Sequence, residues 1–259
     1  MPSHLMPIDE QPSEDVLRRL VEEARAQGSE TVRIEVAGNT AGAWARAGFS
    51  EWARILEAPV EVLERRLGGG GGPSFGSIHV QTDDLDAVVR GVRQFVPRMP
   101  GNSQGSVVSQ PRNGWVTVYD ELADREPEML RRLARELSDR MGAVVLLLGV
   151  EEGQVVRFVL LERGRVMDEY LSVPEHHGEL PPGDVIALSA NPTVVARLTG
   201  ADPAEVRRVI RTAKRLEDLA PAPELVTEVA AVLGVEGGEH GYAGAVEIPG
   251  AIAVPRESR

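Results

Sequence analysis

Two groups of acidic, aromatic and imidazole side chains have the residue types from which a metal site or an acid–base pair is built. One group closes a predicted strand at 168–170 and continues into the loop at 176–177, and the other ends an earlier predicted strand at 119–121. Carboxylates and imidazoles bind divalent cations and exchange protons near neutral pH. We expect any site of this kind to lie where the two groups meet. The candidate catalytic residues are Tyr119, Asp120, Glu121, Asp168, Glu169, Tyr170, His176 and His177.

The spacing of these candidates matches no established ligand motif, so the sequence predicts neither a metal ion nor a cofactor. Successive side chains of a strand point to opposite faces of a sheet. Asp168 and Tyr170 should therefore share one face while Glu169 takes the other. An exposed loop that follows a strand with one polar face would present the same residues, and the sequence leaves both interpretations open.

Three consecutive strands must position the later group of candidates. Residues 143–150 are almost all apolar, residues 154–161 alternate in polarity, and residues 165–173 carry β-branched and aromatic side chains at intervals. Gly153 and Gly164 separate them, and glycine supplies the positive φ that a tight hairpin turn needs. The pattern predicts an antiparallel meander at the centre of a sheet.

The segments before the meander complete an α+β domain. A strand at 77–81, a helix from Asp83, a hairpin with Asn113-Gly114 at its turn and a helix beginning near Pro127 precede it. The order β-α-β-β-α-β is ferredoxin-like, and it predicts a mostly antiparallel sheet with helices on one face. His79 lies in the first strand, and we expect it to be a core or edge histidine with satisfied hydrogen bonds.

Glycine runs and periodicity predict the domain boundaries. Five consecutive glycines at 68–72 have maximal backbone freedom and no side chains to pack, which is typical of a flexible linker. After the meander, three short helices complete the second domain, and the Gly-rich, unperiodic tail is expected to be irregular. The predicted division is a first domain at 1–67, a linker at 68–75, an α+β domain at 76–235 and a tail at 236–259.

The first domain has a predicted order of helix 14–27, strand 31–37, helix 40–47, strand 51–57 and helix 60–67, with Gly48-Phe49 before the second strand. This order and the Gly-Phe pair resemble the C-terminal half of the GNAT acyltransferase superfamily. The resemblance implies a partial GNAT-like domain and acyl-CoA-dependent N-acetyl transfer with acetyl-CoA as the cofactor.

Several positions depart from that family. Its members bind the pyrophosphate on a Gly-rich turn at the start of the long helix, whereas residues 10–15 contain no Gly and carry carboxylates. The general acid of the family is often a Tyr four residues before Gly-Phe, and Trp44 stands there instead. No strand is predicted ahead of the helix. These departures argue against autonomous acetyl transfer, and they predict unpaired edges at 31–37 and 51–57 that join another copy or the second domain.

Amino-acid composition and net charge limit the classes of partner that the protein can bind. The 259-residue chain has a net charge of −12 and no Cys, and it lacks a run of apolar residues that could cross a membrane. Phosphate backbones attract clustered cations, so we expect no nucleic acid or membrane partner. Residues 195–212 nevertheless resemble a helix-turn-helix with exposed arginines, which keeps DNA binding as an alternative. The absence of Cys fits a cytoplasmic protein.

These observations favour a cytoplasmic, bacterial-type protein without its own catalysis. We expect it to be a binding or oligomerisation module with a degenerate acetyltransferase-like N-terminus, and to associate with itself or with a protein partner. Acyl-CoA-dependent N-acetyl transfer and DNA binding through 195–212 are the alternatives.

Overall fold

The structure, a computed structural model, describes residues 5–8, 12–26, 28–36, 44, 47–52, 55–59, 74–98 and 103–256. The chain forms two compact units, Met1–Gly72 and Pro73–Arg259. The division between them lies inside the predicted linker. Residues 68–73 of that linker, the predicted helix 60–67 and most of the predicted helix 40–47 lie outside the described residues.

The first unit is a helix with a four-stranded sheet in the order β1-β2-β4-β3. Helix α1 buries its apolar stripe in one cluster with Val32, Ile34, Trp44 and Phe49. The helix and the strand predicted at 14–27 and 31–37 are confirmed, since the observed ends lie within one residue. The elements are β1 (Leu5–Ile8), α1 (Glu14–Ala26), β2 (Thr31–Val36), β3 (Ser50–Trp52) and β4 (Ile55–Pro59).

Two predictions for this unit are wrong. Strand β1 precedes α1 and pairs in parallel with β2. The single strand predicted at 51–57 is two antiparallel strands, and β4 inserts between β2 and β3. Because β2 and β4 have a neighbour on each side, their backbone groups are satisfied inside the unit. The edges expected at 31–37 and along most of 51–57 are therefore paired inside the unit, whereas β3, at residues 50–52, is an edge strand of this sheet.

The second unit is built on a seven-stranded sheet in which every recorded pair is antiparallel, in the order β10-β9-β8-β5-β7-β6-β11. The central run β8-β5-β7-β6 has the strand order of a ferredoxin-like split βαβ arrangement, which confirms the α+β prediction and the meander. The strands are β5 (Phe75–Gln81), β6 (Gly105–Val108), β7 (Trp115–Asp120), β8 (Val144–Glu151), β9 (Val155–Glu162), β10 (Arg165–Leu171) and β11 (Ile252–Pro255).

Tight turns fix the registers of these strands. Asn113 and Gly114 have φ angles of 52° and 79°, and Arg163 and Gly164 have φ angles of 51° and 72°. Two successive positive φ angles are the signature of the type I′ turn, whose twist matches that of a β-hairpin. The hairpins predicted at these dipeptides are therefore confirmed.

Helices cover both faces of the sheet. Helices α2 (Leu85–Phe95) and α4 (Pro127–Met141) pack on the first face, as predicted, with the short α3 (Glu121–Arg125) before α4. The later C-terminal helices, whose position the sequence left open, bury apolar side chains on the second face over β8, β9 and β10, while the first and shortest of them contacts β10 at the sheet edge and buries no side chain. They are α5 (Pro182–Ala187), α6 (Pro192–Thr199), α7 (Pro203–Val209) and α8 (Ala222–Leu233).

The tail differs from the expected irregular segment. Residues Ile252–Pro255 form β11, which pairs with β6 and becomes an edge strand of the sheet. A short helix, α9 (Tyr242–Ala245), packs with Val107 and Tyr119 over β6 and β7. The tail therefore covers the part of the second face that the C-terminal helices leave open. Among the described residues, no helix is long and apolar enough to cross a membrane.

Candidate functional site

The structure separates the two groups of candidates that the sequence placed together. Tyr119, Asp120 and Glu121 lie at the end of β7 and the start of α3, whereas 168–170 lie on β10 at the far edge of the sheet. Strands β9, β8 and β5 stand between β10 and β7. Neighbouring strands are about 4.8 Å apart, so roughly 19 Å separates the two groups. The expected common site is wrong, because the sequence could not order the strands.

Residues 168–170 hold β10 against the helices. Tyr170 stacks on Phe158 at 5.2 Å between ring centroids and donates a hydrogen bond to the Arg211 carbonyl at 3.0 Å. Asp168 Oδ2 accepts from the Asn191 N–H at 2.7 Å on the same face. Glu169 forms an ion pair with Arg131 of α4 on the opposite face. The predicted alternation is confirmed.

Burial adjusts the acidities of these groups. It raises the pKa of Asp168 above its ordinary value, partly offset by the N–H donors of Asn191 and Glu169. It also raises the pKa of the Tyr170 phenol. The phenol therefore stays protonated and serves as a hydrogen-bond donor that joins β10 to the chain after α7.

Asp120 and Glu121 organise the start of α3. The fully buried Asp120 accepts hydrogen bonds from the Leu122 N–H at 3.0 Å and from the Ser106 hydroxyl at 2.6 Å. Glu121 accepts from the Gln104 N–H at 2.8 Å. An aspartate at this position satisfies an N–H at the start of a helix, so its contacts here are those of a cap.

Tyr119 points away from Asp120 and contacts the tail. Its ring is 1% exposed and stacks on His240 at 5.2 Å between centroids. Its hydroxyl donates to the Gly237 carbonyl at 3.0 Å. Burial raises the pKa of the phenol, and the nearby Glu239 carboxylate raises it further. Tyr119 therefore remains a neutral donor that fixes the tail.

A row of polar side chains lies behind Tyr119 on the same face. The buried His79 ring bonds the Ser77 hydroxyl through Nε2 and the Thr117 hydroxyl through Nδ1, both at 2.9 Å. The Thr117 hydroxyl also lies 3.3 Å from the Glu236 carbonyl. Burial, with a smaller contribution from His240, lowers the pKa of His79 to about 3. The expectation of a satisfied core histidine is confirmed.

Glycines allow the tail to approach this polar row. A Cβ on Gly237, whose φ is +80°, would lie 2.0 Å from the Tyr119 hydroxyl oxygen. A Cβ on Gly238 would lie 2.6 Å from Leu148 Cδ2. Further along, the Tyr242 N–H donates to Asp124 Oδ2 at 2.8 Å. The glycine content that suggested an irregular segment instead permits close packing.

A cleft of about 550 Å³ opens between the tail, the β6–β7 hairpin and the end of α8. Tyr119 and Ser109 form its buried floor, and polar and charged side chains stand around its rim. We call it the tail cleft. Its lining residues are Ser109, Gln110, Arg112, Asn113, Tyr119, Thr227, Ala230, Ala231, Gly234, Val235, Glu236, Gly237, Glu239, His240, Ile248 and Pro249.

The two candidate histidines lie elsewhere, at the β8–β9 turn. His177 Nε2 is 3.0 Å from Glu151 Oε2, and His176 Nε2 is 3.5 Å from Glu152 Oε2. Burial alone would raise the pKa of Glu151, but the hydrogen bond with His177 and the charge of Arg157 outweigh it and lower that pKa to about 2. The structure thus brings the predicted histidines to two carboxylates, Glu151 and Glu152, that are not among the eight candidates.

Of the eight candidates, only Tyr119 lines the tail cleft and only the two histidines join a cluster of metal-ligating groups. No motif in the sequence indicated Arg112, Glu239 and His240 at the cleft or Glu152 at the cluster as functional residues. Arg112 beside the Asn-Gly turn was the one available signal, because loop residues on a rigid hairpin often bind ligands. The tail residues gave none, since their place depends on the packing of the tail.

Comparison of the chain with protein-family models, with curated proteins and with solved structures gave no match.

Proposed function

We propose that residues 73–259 form a non-catalytic binding module, and that its ligand is a small zwitterion of the amino-acid or short-peptide class held in the tail cleft. The observation that supports this proposal is a cleft of about 550 Å³ whose rim presents both a guanidinium and carboxylates. Pockets for small ligands have volumes of roughly 300–1,000 Å³ and combine apolar walls with a few polar groups.

The charged rim groups are available to a ligand. Arg112 and Glu239 are exposed, and neither forms an ion pair within the described part of the chain. The Glu236 carboxylate accepts a hydrogen bond from the Asn113 amide at 3.3 Å. A guanidinium binds a carboxylate through two parallel hydrogen bonds, and a carboxylate accepts from an ammonium group. A ligand with both charges would satisfy the two sides of the cleft.

The groups beneath the cleft support binding without catalysis. General acids and bases work best with a pKa near the ambient pH. The pKa of His79 is lowered to about 3, and that of Tyr119 is raised above its ordinary value. Both side chains also commit their hydrogen bonds to the protein. Tyr119 in the floor of the cleft and His79 behind it therefore do not exchange protons near neutral pH.

Isothermal titration calorimetry of the full chain with a panel of free amino acids and unmodified dipeptides tests this function. We expect saturable binding of at least one class, weakened at least tenfold by Arg112→Gln and by Glu239→Gln. Both side chains are exposed, so these variants should fold. Arg197→Gln, an exposed change on α6 outside the cleft, is the matched control. Absence of saturable heat, or equal affinity in the Arg112→Gln variant, would contradict the proposal.

The alternative function is acetyl transfer by the first unit, and isothermal titration calorimetry can test it as well. Strand β1 ahead of α1 supports it, because the family has strands before its long helix. Against it, Trp44 is fully buried and packs edge-on against Phe49, so this side chain supplies no acid to a substrate. Heat on titration with acetyl-CoA would favour the alternative, and we expect none.

A further inference from the structure

We propose that Glu152, His176 and His177 bind one zinc-class divalent cation that joins the β8–β9 turn to the loop after β10. The three side chains come from two segments more than twenty residues apart in the sequence. One possible ligand atom from each lies within 4.8 Å of the others. This cluster is independent of the tail cleft and of the binding function proposed for it.

The separations in the cluster suit a small coordination sphere. Metal–ligand bonds of about 2.0–2.2 Å place tetrahedral ligand atoms roughly 3.3–3.6 Å apart. His176 Nε2 and Glu152 Oε2 are already 3.5 Å apart. His177 has a side chain that is 49% exposed, so it has room to move toward the other two. Because all three atoms already lie within 4.8 Å of one another, a shift of about 1 Å brings them to this spacing.

The backbone around the cluster holds the ligands before an ion arrives. Glu152 sits in the turn at a φ of 53°, and its N–H donates to the Ser74 hydroxyl at 2.8 Å. The His176 N–H donates to the Val173 carbonyl at 3.0 Å. Glu151 Oε2 lies 3.0 Å from His177 Nε2, so His177 would bind the ion through Nδ1 and keep Glu151 as the carboxylate partner of its other nitrogen.

The ligand chemistry selects the class of ion. Two imidazoles and one carboxylate suit Zn²⁺ and its first-row neighbours, whereas Mg²⁺ and Ca²⁺ prefer shells made of oxygen. The chain has no Cys, so no thiolate competes for a soft ion. Three protein ligands leave a fourth tetrahedral position for water or for an outside ligand.

Titration of the chelator-treated full chain with ZnCl₂, followed by calorimetry and by thermal unfolding, tests the site. We expect one Zn²⁺ per chain and an unfolding temperature that rises with Zn²⁺ concentration, because an ion that binds only the folded state stabilises it. His177→Ala and Glu152→Gln should each weaken binding at least tenfold. Glu179→Gln, an exposed change in the same loop, should leave the affinity unchanged.

Two outcomes would overturn the site. One is the absence of stoichiometric binding by the wild-type chain. The other is wild-type affinity in both His177→Ala and Glu152→Gln, which would place the ion elsewhere. Circular dichroism of each variant without Zn²⁺ shows whether weaker binding comes from loss of a metal ligand or from loss of the fold. Because His177 is exposed, His177→Ala is less prone to unfold than Glu152→Gln. Neither outcome depends on whether the tail cleft binds a zwitterion.

Discussion

His79 engages both of its ring nitrogens inside the sheet. Ser77 and Thr117 bond it from β5 and β7, so the neutral ring is matched to two hydroxyls that can each donate or accept. A protonated ring would bring a charge into a site from which water is excluded. The cost of burying that charge lowers the pKa to about 3.

This shift predicts a pH dependence of stability. Unfolded His79 takes up a proton near its ordinary pKa of 6.5, whereas the folded ring stays neutral down to about 3. Protons therefore favour the unfolded state between those values. The free energy of unfolding should fall by about 1.4 kcal/mol per pH unit from this residue as the pH drops below 6.5. Above that value His79 contributes no pH dependence.

Urea denaturation of the wild type and of His79→Gln at a series of pH values isolates the effect. The difference in the free energy of unfolding between the two proteins should shrink by about 2 kcal/mol between pH 7 and pH 5, since glutamine does not titrate. The carboxylates titrate in both proteins and cancel in the difference. A difference that does not change with pH would show that the buried ring accepts a proton without cost.

At the scale of elements, the tail explains why a Gly-rich segment can be ordered. Hydroxyls of Thr117 and Tyr119 hold the carbonyls of Glu236 and Gly237, and β11 adds a strand beside β6. These contacts use the tail's backbone more than its side chains. Hydrophobic periodicity reports side chains that alternate or repeat, so a segment docked by its backbone leaves no such pattern.

Gly237 and Gly234 provide a matched test of that docking. Gly237 has a φ of 80° and Gly234 has a φ of 72°. A Cβ on Gly237 would lie 2.0 Å from the Tyr119 hydroxyl oxygen, whereas a Cβ on Gly234 would have no atom within 4 Å. Gly234→Ala should cost about 1–2 kcal/mol from backbone strain alone. Gly237→Ala adds the clash and should cost about 3 kcal/mol or more.

Urea denaturation measures both costs, and limited proteolysis shows whether the tail has detached. We expect early cleavage within 236–256 for Gly237→Ala only. Equal free energies of unfolding for the two variants would contradict the prediction. The tail would then accommodate the added methyl group, and its close approach to Tyr119 would not stabilise the fold.

Helices α6 and α7 show how one motif fits two interpretations. Within the segment 195–212 that resembles a helix-turn-helix, the structure has two short helices joined by a turn in which Gly200 has a φ of 80°, and the second helix ends at Val209. The apolar side chains of the two helices, Val195, Val206 and Val209, are buried against the second face of the sheet. The exposed Arg208 is paired with Glu205. Packing on the sheet is therefore sufficient to account for the two helices.

The charge of the whole molecule opposes DNA binding by these helices. At a net charge of −12 the chain repels a phosphate backbone. The ion pair with Glu205 also neutralises Arg208, one of the cations that could contact DNA. Fluorescence anisotropy with a random duplex at low salt should show no binding. A titration that saturates and weakens as salt is added would instead establish a nucleic acid partner.

Most of the local structure of the second unit can be predicted from its amino-acid sequence. The strands of the meander, the Asn113-Gly114 and Arg163-Gly164 turns and the helices on the first face follow from periodicity and turn chemistry, which involve residues close in the chain. The alternation of Asp168, Glu169 and Tyr170 is also a local property. Each of these predictions needed only the geometry of one element.

Tertiary structure alone decided which side chains meet. The order of strands separates Tyr119 from Tyr170, and it places β2 between β1 and β4 in the first sheet. The folding of the loop after β10 onto the β8–β9 turn joins His176 to Glu152, and the docking of the tail makes the cleft. These contacts join distant segments through backbone hydrogen bonds and close packing. No spacing of residue types along the chain encodes them.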